Sequence, residues 1–138
     1  MNPSISAVEN LEVWHVSRAV ARSVYRLTKR LPFSERNNLA NQLMRASVSI
    51  SSNISEGRGR ATTKEYLRFV YFAQGSNTEV YTQLLLCRDV GYFTDADIHD
   101  TLILCRRVDQ MLTSLSNTLR AKIAWQENQK KKPKPTKK

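Results

Sequence analysis

Apolar residues recur three and four positions apart in four successive stretches, which is the spacing of one face of an α-helix. The first stretch, predicted to be helical from about Ser6 to Arg30, carries Val13, Val16, Val20, Val24, Leu27 and Leu31. The second carries Leu39, Leu43, Ala46, Ile50 and Ile54. The third carries Tyr66, Phe69, Ala73, Asn77, Val80, Leu84 and Cys87, and the fourth carries Ile98, Leu102, Cys105, Val108, Leu112, Leu115, Leu119 and Ile123. The pattern predicts an all-α protein.

Helix-breaking and helix-capping residues lie between the first two predicted helices and at the end of the second. Pro32 stops the first helix, because the residue before a proline is pushed out of the α region. Ser34 is predicted to cap the second helix, with Glu35 in its first turn facing the positive end of the helix dipole. The second helix is predicted to fade into a loop at Gly57–Arg60, where a glycine suits the C-terminal cap.

Two more start signals frame the last helices. Thr62 and Glu65 have the spacing of a capping box at the start of the third helix. Gly91 is predicted to end that helix, and Thr94 with Asp97 resembles a second capped start.

Four helices joined by short loops favour an antiparallel, up-down-up-down four-helix bundle. The 138 residues suit one domain, predicted to span residues 1–127. Residues 128–138 contain lysine and proline and no apolar side chain, so this basic C-terminal tail is predicted to be disordered.

Positive charge is concentrated in the first half of the folded part. The formal net charge is +10, from 22 basic and 12 acidic residues. Residues 18–68 hold eleven basic and three acidic residues, whereas residues 69–129 hold five basic and seven acidic residues. A surface rich in unpaired cations attracts polyanions. The predicted nucleic-acid-binding residues are Arg18, Arg22, Arg26, Lys29, Arg30, Arg45, Arg58, Arg60, Lys64 and Arg68.

Three features of this half of the protein and of its tail can each be interpreted in two ways. Arg18, Arg22 and Arg26 form one stripe on the first helix, and such a stripe is either a binding surface or an ordinary solvated face. The lysine tail is either a nucleic-acid arm or a solubilising end. Tyr66 and Phe69 either stack on exposed bases or pack in the core.

An apolar stretch on the third helix predicts an interface between subunits. Seven of the eight residues from Tyr66 to Ala73 are apolar or aromatic, and a helix that is apolar on most sides is buried on most sides. The predicted interface residues are Trp14, Leu67, Tyr71 and Phe72. The alternative is that these aromatic residues edge the core of a single subunit.

No catalytic, cofactor or metal site is predicted. Cys87 and Cys105 lack metal-ligand spacing and are expected to be buried and reduced, and His15 and His99 have no partner pattern for catalysis. The chain carries no apolar run long enough to span a membrane and no secretory signal at its N-terminus. The expected protein is cytoplasmic, with no membrane association and no small-molecule substrate.

Residues in the first three stretches carry a resemblance to a known family. They are Leu11 to Trp14, Val24, Tyr25, Leu27, Thr28 and Pro32, then Arg45, Ala46, Val48 to Ile50, Asn53, Ile54, Glu56 and Gly57, then Arg60, Glu65, Arg68, Phe69, Ala73, Gly75, Ser76, Glu79, Gln83 and Leu84. Together they resemble the 23S rRNA intervening-sequence proteins over about residues 9–93. Met44 stands where that family often has arginine, and Ser51 where it often has proline.

The resemblance implies a four-helix bundle that assembles into a homo-oligomer, a pentamer in that family, and implies no settled activity. Combined with the charge, it gives a first hypothesis of a non-catalytic, homo-oligomeric nucleic-acid-binding protein whose ligand is RNA. The second hypothesis is a protein-interaction scaffold that binds an acidic protein partner.

Overall fold

The computed structural model describes residues 3–133 and 135. Within that part of the chain there are five α-helices and no β-strand. Their bounds are α1 (Pro3–Glu9), α2 (Glu12–Thr28), α3 (Leu39–Arg58), α4 (Thr63–Asp89) and α5 (Asp95–Lys131), and a 3-10 turn (Phe33–Glu35) lies between α2 and α3. The all-α prediction is confirmed, and α2 to α5 correspond to the four predicted helices.

The four long helices pack around one hydrophobic core. α2 contacts α3 and α5, and α4 contacts the same two helices, while the short α1 lies against α2 and α3. Side chains with no exposed surface include Val20, Val24, Leu43, Ile50, Ile54, Val80, Leu84, Ile98, Val108 and Leu112, all from the predicted stripes. Val70 is equally buried although it lies off the stripe predicted for its helix.

Hydrogen bonds cross between neighbouring helices at successive levels. Ser49 meets Ser76, and Gln83 donates to Gln42 one level away. Asn77 donates to the Cys105 carbonyl at 2.8 Å, and Gln74 donates to Thr113. In both of these helix pairs the residue numbers rise along one helix as they fall along its neighbour.

The first predicted helix is two helices, so the prediction of one helix from Ser6 to Arg30 is wrong. Leu11 has an extended backbone (φ −90°, ψ 114°) that interrupts the helix. The break lets α1 turn onto α3 and bury Val8. The His15 ring donates to the Glu9 carbonyl over 2.7 Å, which satisfies an acceptor in the last turn of α1.

The predicted ends of the second helix also need correction. Ser34 lies in the 3-10 turn, and α3 begins at Leu39 without a side-chain cap. The Asn38 side chain is bonded instead to the side chains of Glu35 and Gln42. At the other end α3 continues through Arg58, so the loop begins at Gly59, the C-cap glycine, two residues later than predicted.

The remaining start and stop signals act largely as predicted. Thr94 and Asp97 form a complete capping box. Thr62 accepts a hydrogen bond from the Glu65 amide, but the return bond from the Glu65 side chain is not formed. Gly91 adopts a left-handed backbone (φ +88°), a conformation that glycine takes without strain.

α5 is longer than predicted. It extends to Lys131, four residues past Glu127, where the folded domain was predicted to end. Disorder of the rest of the tail stays a prediction, because residues 134 and 136–138 lie outside the described part of the chain.

Gly57 allows a close approach between α3 and α4. A Cβ atom at this position would lie 2.8 Å from the Phe69 Cβ and 3.2 Å from the Tyr66 carbonyl oxygen. Gly75, in the middle of α4, is the opposite case, because a Cβ atom there would meet no atom within 4 Å. Packing within the subunit therefore requires glycine at position 57, whereas no contact within the subunit requires glycine at position 75.

We expect Gly57→Ala to lower the free energy of unfolding by about 1–3 kcal/mol, because the added methyl group overpacks a tight contact. Gly75→Ala is the matched variant and, in the dissociated subunit, should raise it by about 1 kcal/mol, because alanine has the higher helix propensity at an exposed position. Urea unfolding of both variants measures the difference. Equal effects of the two substitutions would contradict the close approach at Gly57.

An ion pair joins the end of α2 to the start of α5. The Asp97 carboxylate accepts a hydrogen bond from the Thr94 amide at 2.8 Å and another from the Arg30 guanidinium at 3.0 Å. The Thr94 amide bond and then the Arg30 charge hold the pKa of Asp97 below its ordinary value. A lowered carboxylate pKa stabilises the folded state above the pKa of the unfolded chain.

We expect Asp97→Asn to be less stable than the parent at neutral pH, because the charged form of Asp97 is the one that the fold favours. This difference should shrink as the pH falls below the ordinary carboxyl pKa of about 4 and vanish below the lowered pKa of the folded state. Thermal unfolding across pH 2–7 checks it. Asp100→Asn removes the same charge from an exposed site without a side-chain partner among the described residues, and a loss of equal size there would rule out the Asp97 contacts as the cause.

Candidate nucleic-acid interface

The ten predicted basic residues do not form one surface. Arg18, Arg22 and Arg26 lie on the solvent face of α2, with Lys29 and Arg30 just beyond its end. Arg45 is on α3 and lines a depression together with Tyr25 of α2. The other four lie near the α3–α4 connection, namely Arg58, Arg60, Lys64 and Arg68.

The arginine stripe of α2 points outward because the valine stripe points inward. Val16, Val20 and Val24 are buried, and positions two residues away lie about 200° around a helix with 3.6 residues per turn. Arg18 and Arg22 therefore face solvent. The Arg18 guanidinium lies 4.6 Å above the Trp14 ring, a cation–π contact that keeps it flat against the helix.

A shallow groove runs from the solvent face of α2, where α2 residues alone line it, to the neighbouring part of α3. It consists of three adjoining depressions, of which the first two share Tyr25 and the last two share Met44. We call this surface the α2–α3 groove. Its basic lining residues are Arg18, Arg22, Arg26, Lys29, Arg36 and Arg45. No aspartate or glutamate among the described residues lines these three depressions, although Glu79 lines a neighbouring depression that shares Arg45.

Exposed aromatic side chains accompany these charges. Tyr25 is 44% exposed and Phe33 is 83% exposed, and both line the α2–α3 groove. Arg36 lies over one face of Phe33, at 5.9 Å. Among the described residues no cation or second ring covers Tyr25. The groove thus combines cations with aromatic surface, a combination used for single-stranded nucleic acid.

Three of the predicted residues are engaged by acids of their own chain. Arg30 binds Asp97 at 3.0 Å, and Arg60 lies 3.6 Å from Glu56. Lys64 binds Glu127 at 3.0 Å, and this hydrogen bond lowers the pKa of Glu127. These pairs are exposed and add little stability, but each reduces the positive charge presented to a polyanion.

Arg58 and Arg68 lie over aromatic rings rather than acids. Arg58 is 6.0 Å from the Tyr66 ring, and Arg68 is 5.3 Å from the Phe72 ring. Burial raises the pKa of Tyr66, although the Arg58 charge opposes that rise. Tyr66 and Phe69 are both partly buried against Gly57. Of the two readings left open, the structure supports core packing for Tyr66, whereas Phe69 contacts the Phe72 ring and lies under the Arg60 guanidinium.

The sequence prediction missed three residues of the groove. Arg36 and Phe33 occupy the 3-10 connection, which was read only as a helix start. Tyr25 could have been found from the spacing. Arg22 follows Arg18 by four positions and Tyr25 follows Arg22 by three, so all three lie on the same face of α2.

The four predicted interface residues fall into two groups. Trp14 and Leu67 are partly buried against the core of their own chain, and the Trp14 indole donates to Ser55 at 2.9 Å. Tyr71 and Phe72 are each a little under half exposed on α4. The Tyr71 hydroxyl accepts a hydrogen bond from Arg120 at 2.6 Å. Only the second pair presents aromatic surface outside the subunit.

Cys87 and Cys105 are buried and not bonded to each other, and burial raises the pKa of Cys105 to about 12. In residues 3–133 no three histidine, cysteine or acidic side chains come together as metal ligands. Over the same residues no helix is long and apolar enough to cross a membrane.

Comparison with known proteins identifies relatives of the chain. The sequence model of the 23S rRNA-intervening sequence protein family matches residues 9–114. A crystal structure of a protein of unknown function from the S23 ribosomal protein family of Bacteroides thetaiotaomicron is similar, with a TM-score of 0.69 and 21% sequence identity. The similarity covers 75% of this chain and 97% of that one, and at this identity it supports the fold alone. The comparison with curated proteins found no significant match.

Proposed function

Because the chain belongs to the 23S rRNA-intervening sequence protein family, we propose that it is a non-catalytic, homo-oligomeric RNA-binding protein. Its subunit is an antiparallel four-helix bundle, and the α2–α3 groove is its RNA-binding surface. The observation that carries this proposal is the run of six basic side chains along the groove with no acidic lining residue. The family name, which refers to ribosomal RNA, supports RNA as the polyanion.

The groove binds RNA chiefly through its phosphates. Arg22, Arg26 and Arg45 make no ion pair with the described acids, so a phosphate does not have to displace an internal partner. Each neutralised phosphate releases a condensed counterion, which makes the affinity dependent on salt. A guanidinium group also donates two parallel hydrogen bonds to the oxygens of one phosphate.

Aromatic surface makes a single strand the favoured form of RNA. The uncovered ring of Tyr25 and the exposed ring of Phe33 can each stack on an unpaired base, which a regular duplex does not offer. Stacking tolerates any base, so this surface binds with little sequence preference.

Assembly into an oligomer would use the outer surface of α4. Tyr71 and Phe72 are exposed there beside Gly75, whose missing side chain has no explanation within the subunit, since a Cβ atom would meet nothing. A glycine in an exposed helix interior lowers stability by about 1 kcal/mol relative to alanine. A close approach by a second subunit would account for it.

One observation favours the alternative, a scaffold for an acidic protein partner. Met44 and Val48 place aliphatic surface beside Arg45 in the groove, and Val48 is 43% exposed. An acidic amphipathic helix would use both the charge and this aliphatic surface. RNA would use the charge and the aromatic rings of the groove but not this aliphatic surface.

We expect the triple variant Arg22→Gln, Arg26→Gln and Arg45→Gln to weaken RNA binding and flatten its dependence on salt. Each phosphate contact contributes about 0.7 to the log–log slope for a single strand, so three lost contacts should reduce the slope by about 2. Fluorescence anisotropy of a labelled single-stranded RNA at several salt concentrations gives both quantities.

The matched control removes the same charge elsewhere, in the triple variant Arg58→Gln, Arg68→Gln and Arg106→Gln. Its slope should stay close to that of the parent. Equal losses in the two triples would mean that net charge acts without a defined surface. A parent protein that binds an acidic peptide but no RNA would support the scaffold instead.

We expect Phe72→Glu to dissociate the oligomer without unfolding the subunit, because a charge would enter an apolar contact between subunits while the core stays intact. Light scattering gives the mass, and circular dichroism gives the helix content. Ile103→Glu is the control, since Ile103 is 46% exposed on α5, away from α4's outer face. A parent mass of 15.9 kDa at all concentrations would exclude the assembly.

A further inference from the structure

The end of α5 extends beyond the hydrophobic core. Leu119 is the last buried residue of this helix, and the helix continues for another twelve residues to Lys131. The family match ends earlier, at residue 114. We call residues 120–131 the α5 extension. No residue of the α5 extension is buried in the core, so its exposed side chains can contact a ligand.

A tryptophan stands out on this extension. Trp125 is 62% exposed, the most exposed aromatic side chain on any helix longer than one turn. Arginines lie over the rings of Trp14, Phe69 and Phe72. Trp125 has no such cation and no aromatic neighbour within the described part of the chain. Much of the surface of this large indole ring is thus available to a ligand.

Positive charge surrounds this tryptophan. Lys130 and Lys131 line the same depression as Trp125, and Lys122 lies one turn before it. The nearby acid Glu127 is already engaged by Lys64 at 3.0 Å. Residues 120–131 carry four basic residues and one acidic residue, a net charge of +3. This charge favours a polyanion and opposes contact with the same surface of a second copy.

We propose that the α5 extension is a second contact site for single-stranded RNA, at which an unpaired base stacks on Trp125 while Lys130 and Lys131 contact the flanking phosphates. The proposal rests on the proposed RNA-binding function but uses a different surface from the α2–α3 groove. Stacking requires an unpaired base, so a duplex would gain only the lysine contacts.

The test measures the affinity of the full chain for a short oligouridylate and for an inorganic polyphosphate, which has charge but no bases. Trp125→Ala should weaken oligouridylate binding about tenfold, with an unchanged salt slope, because base–aromatic stacking is lost. Trp125→Phe should retain most of the affinity. Polyphosphate binding should be the same in all three proteins.

Two further readouts separate stacking from charge. In a Trp14→Phe background Trp125 is the remaining tryptophan, and oligouridylate should quench its fluorescence while polyphosphate should not. The double variant Lys130→Gln and Lys131→Gln should flatten the salt slope by about 1.4, from two phosphate contacts of about 0.7 each.

The outcomes distinguish this inference from the proposed function. If Trp125→Ala binds oligouridylate like the parent while the groove triple loses affinity, the second site is wrong and the function stands. If the parent binds no RNA, both are wrong. A change in mass or helix content in Trp125→Ala would assign the tryptophan to assembly or folding and would also overturn the inference.

Discussion

The buried valine stripe of α2 is the constraint on which the candidate RNA surface depends. Val16, Val20 and Val24 lock one face of the helix against α3 and α5. Their β-branched side chains have few rotamers, so the helix has little freedom to roll about its axis. Arg22 and Arg26 are therefore held on the opposite side, facing solvent. Packing of the core thus determines that the arginine side chains of α2 point away from it.

Much of the fold follows from apolar spacing, because each long helix buries one stripe. The errors lie where a local signal competes with a tertiary contact. The break at Leu11 carries no glycine or proline, and it becomes intelligible only when Val8 is seen to be buried. Ser34 is a good capping residue, yet Asn38 and its bonded neighbours set the start of α3 four residues later. The amino-acid sequence shows both competing local signals, but a tertiary contact determines which of them sets the end of the helix.

The candidate site was harder to predict than the core, because ionic partners are distant in sequence. Arg30 and Arg26 look alike along the chain, but Asp97 engages only Arg30. The same holds for Lys64, whose partner Glu127 lies at the far end of α5. Exposure of aromatic residues is likewise a tertiary property, which separates Tyr25 from the partly buried Tyr66. Charge counting therefore found the basic half of the protein but not its groove.

The shallowness of the proposed RNA surfaces bears on why such a protein would assemble. A groove with six basic side chains offers a modest number of phosphate contacts, and their strength falls as salt rises. A homo-oligomer repeats the α2–α3 groove and the α5 extension in every subunit. One RNA strand that reaches several copies binds through effective concentration, without any new kind of contact. In the proposed oligomer the aromatic surface at Phe72 and the arginines at the groove would thus serve the same end, the first by joining subunits and the second by sharing the strand between them.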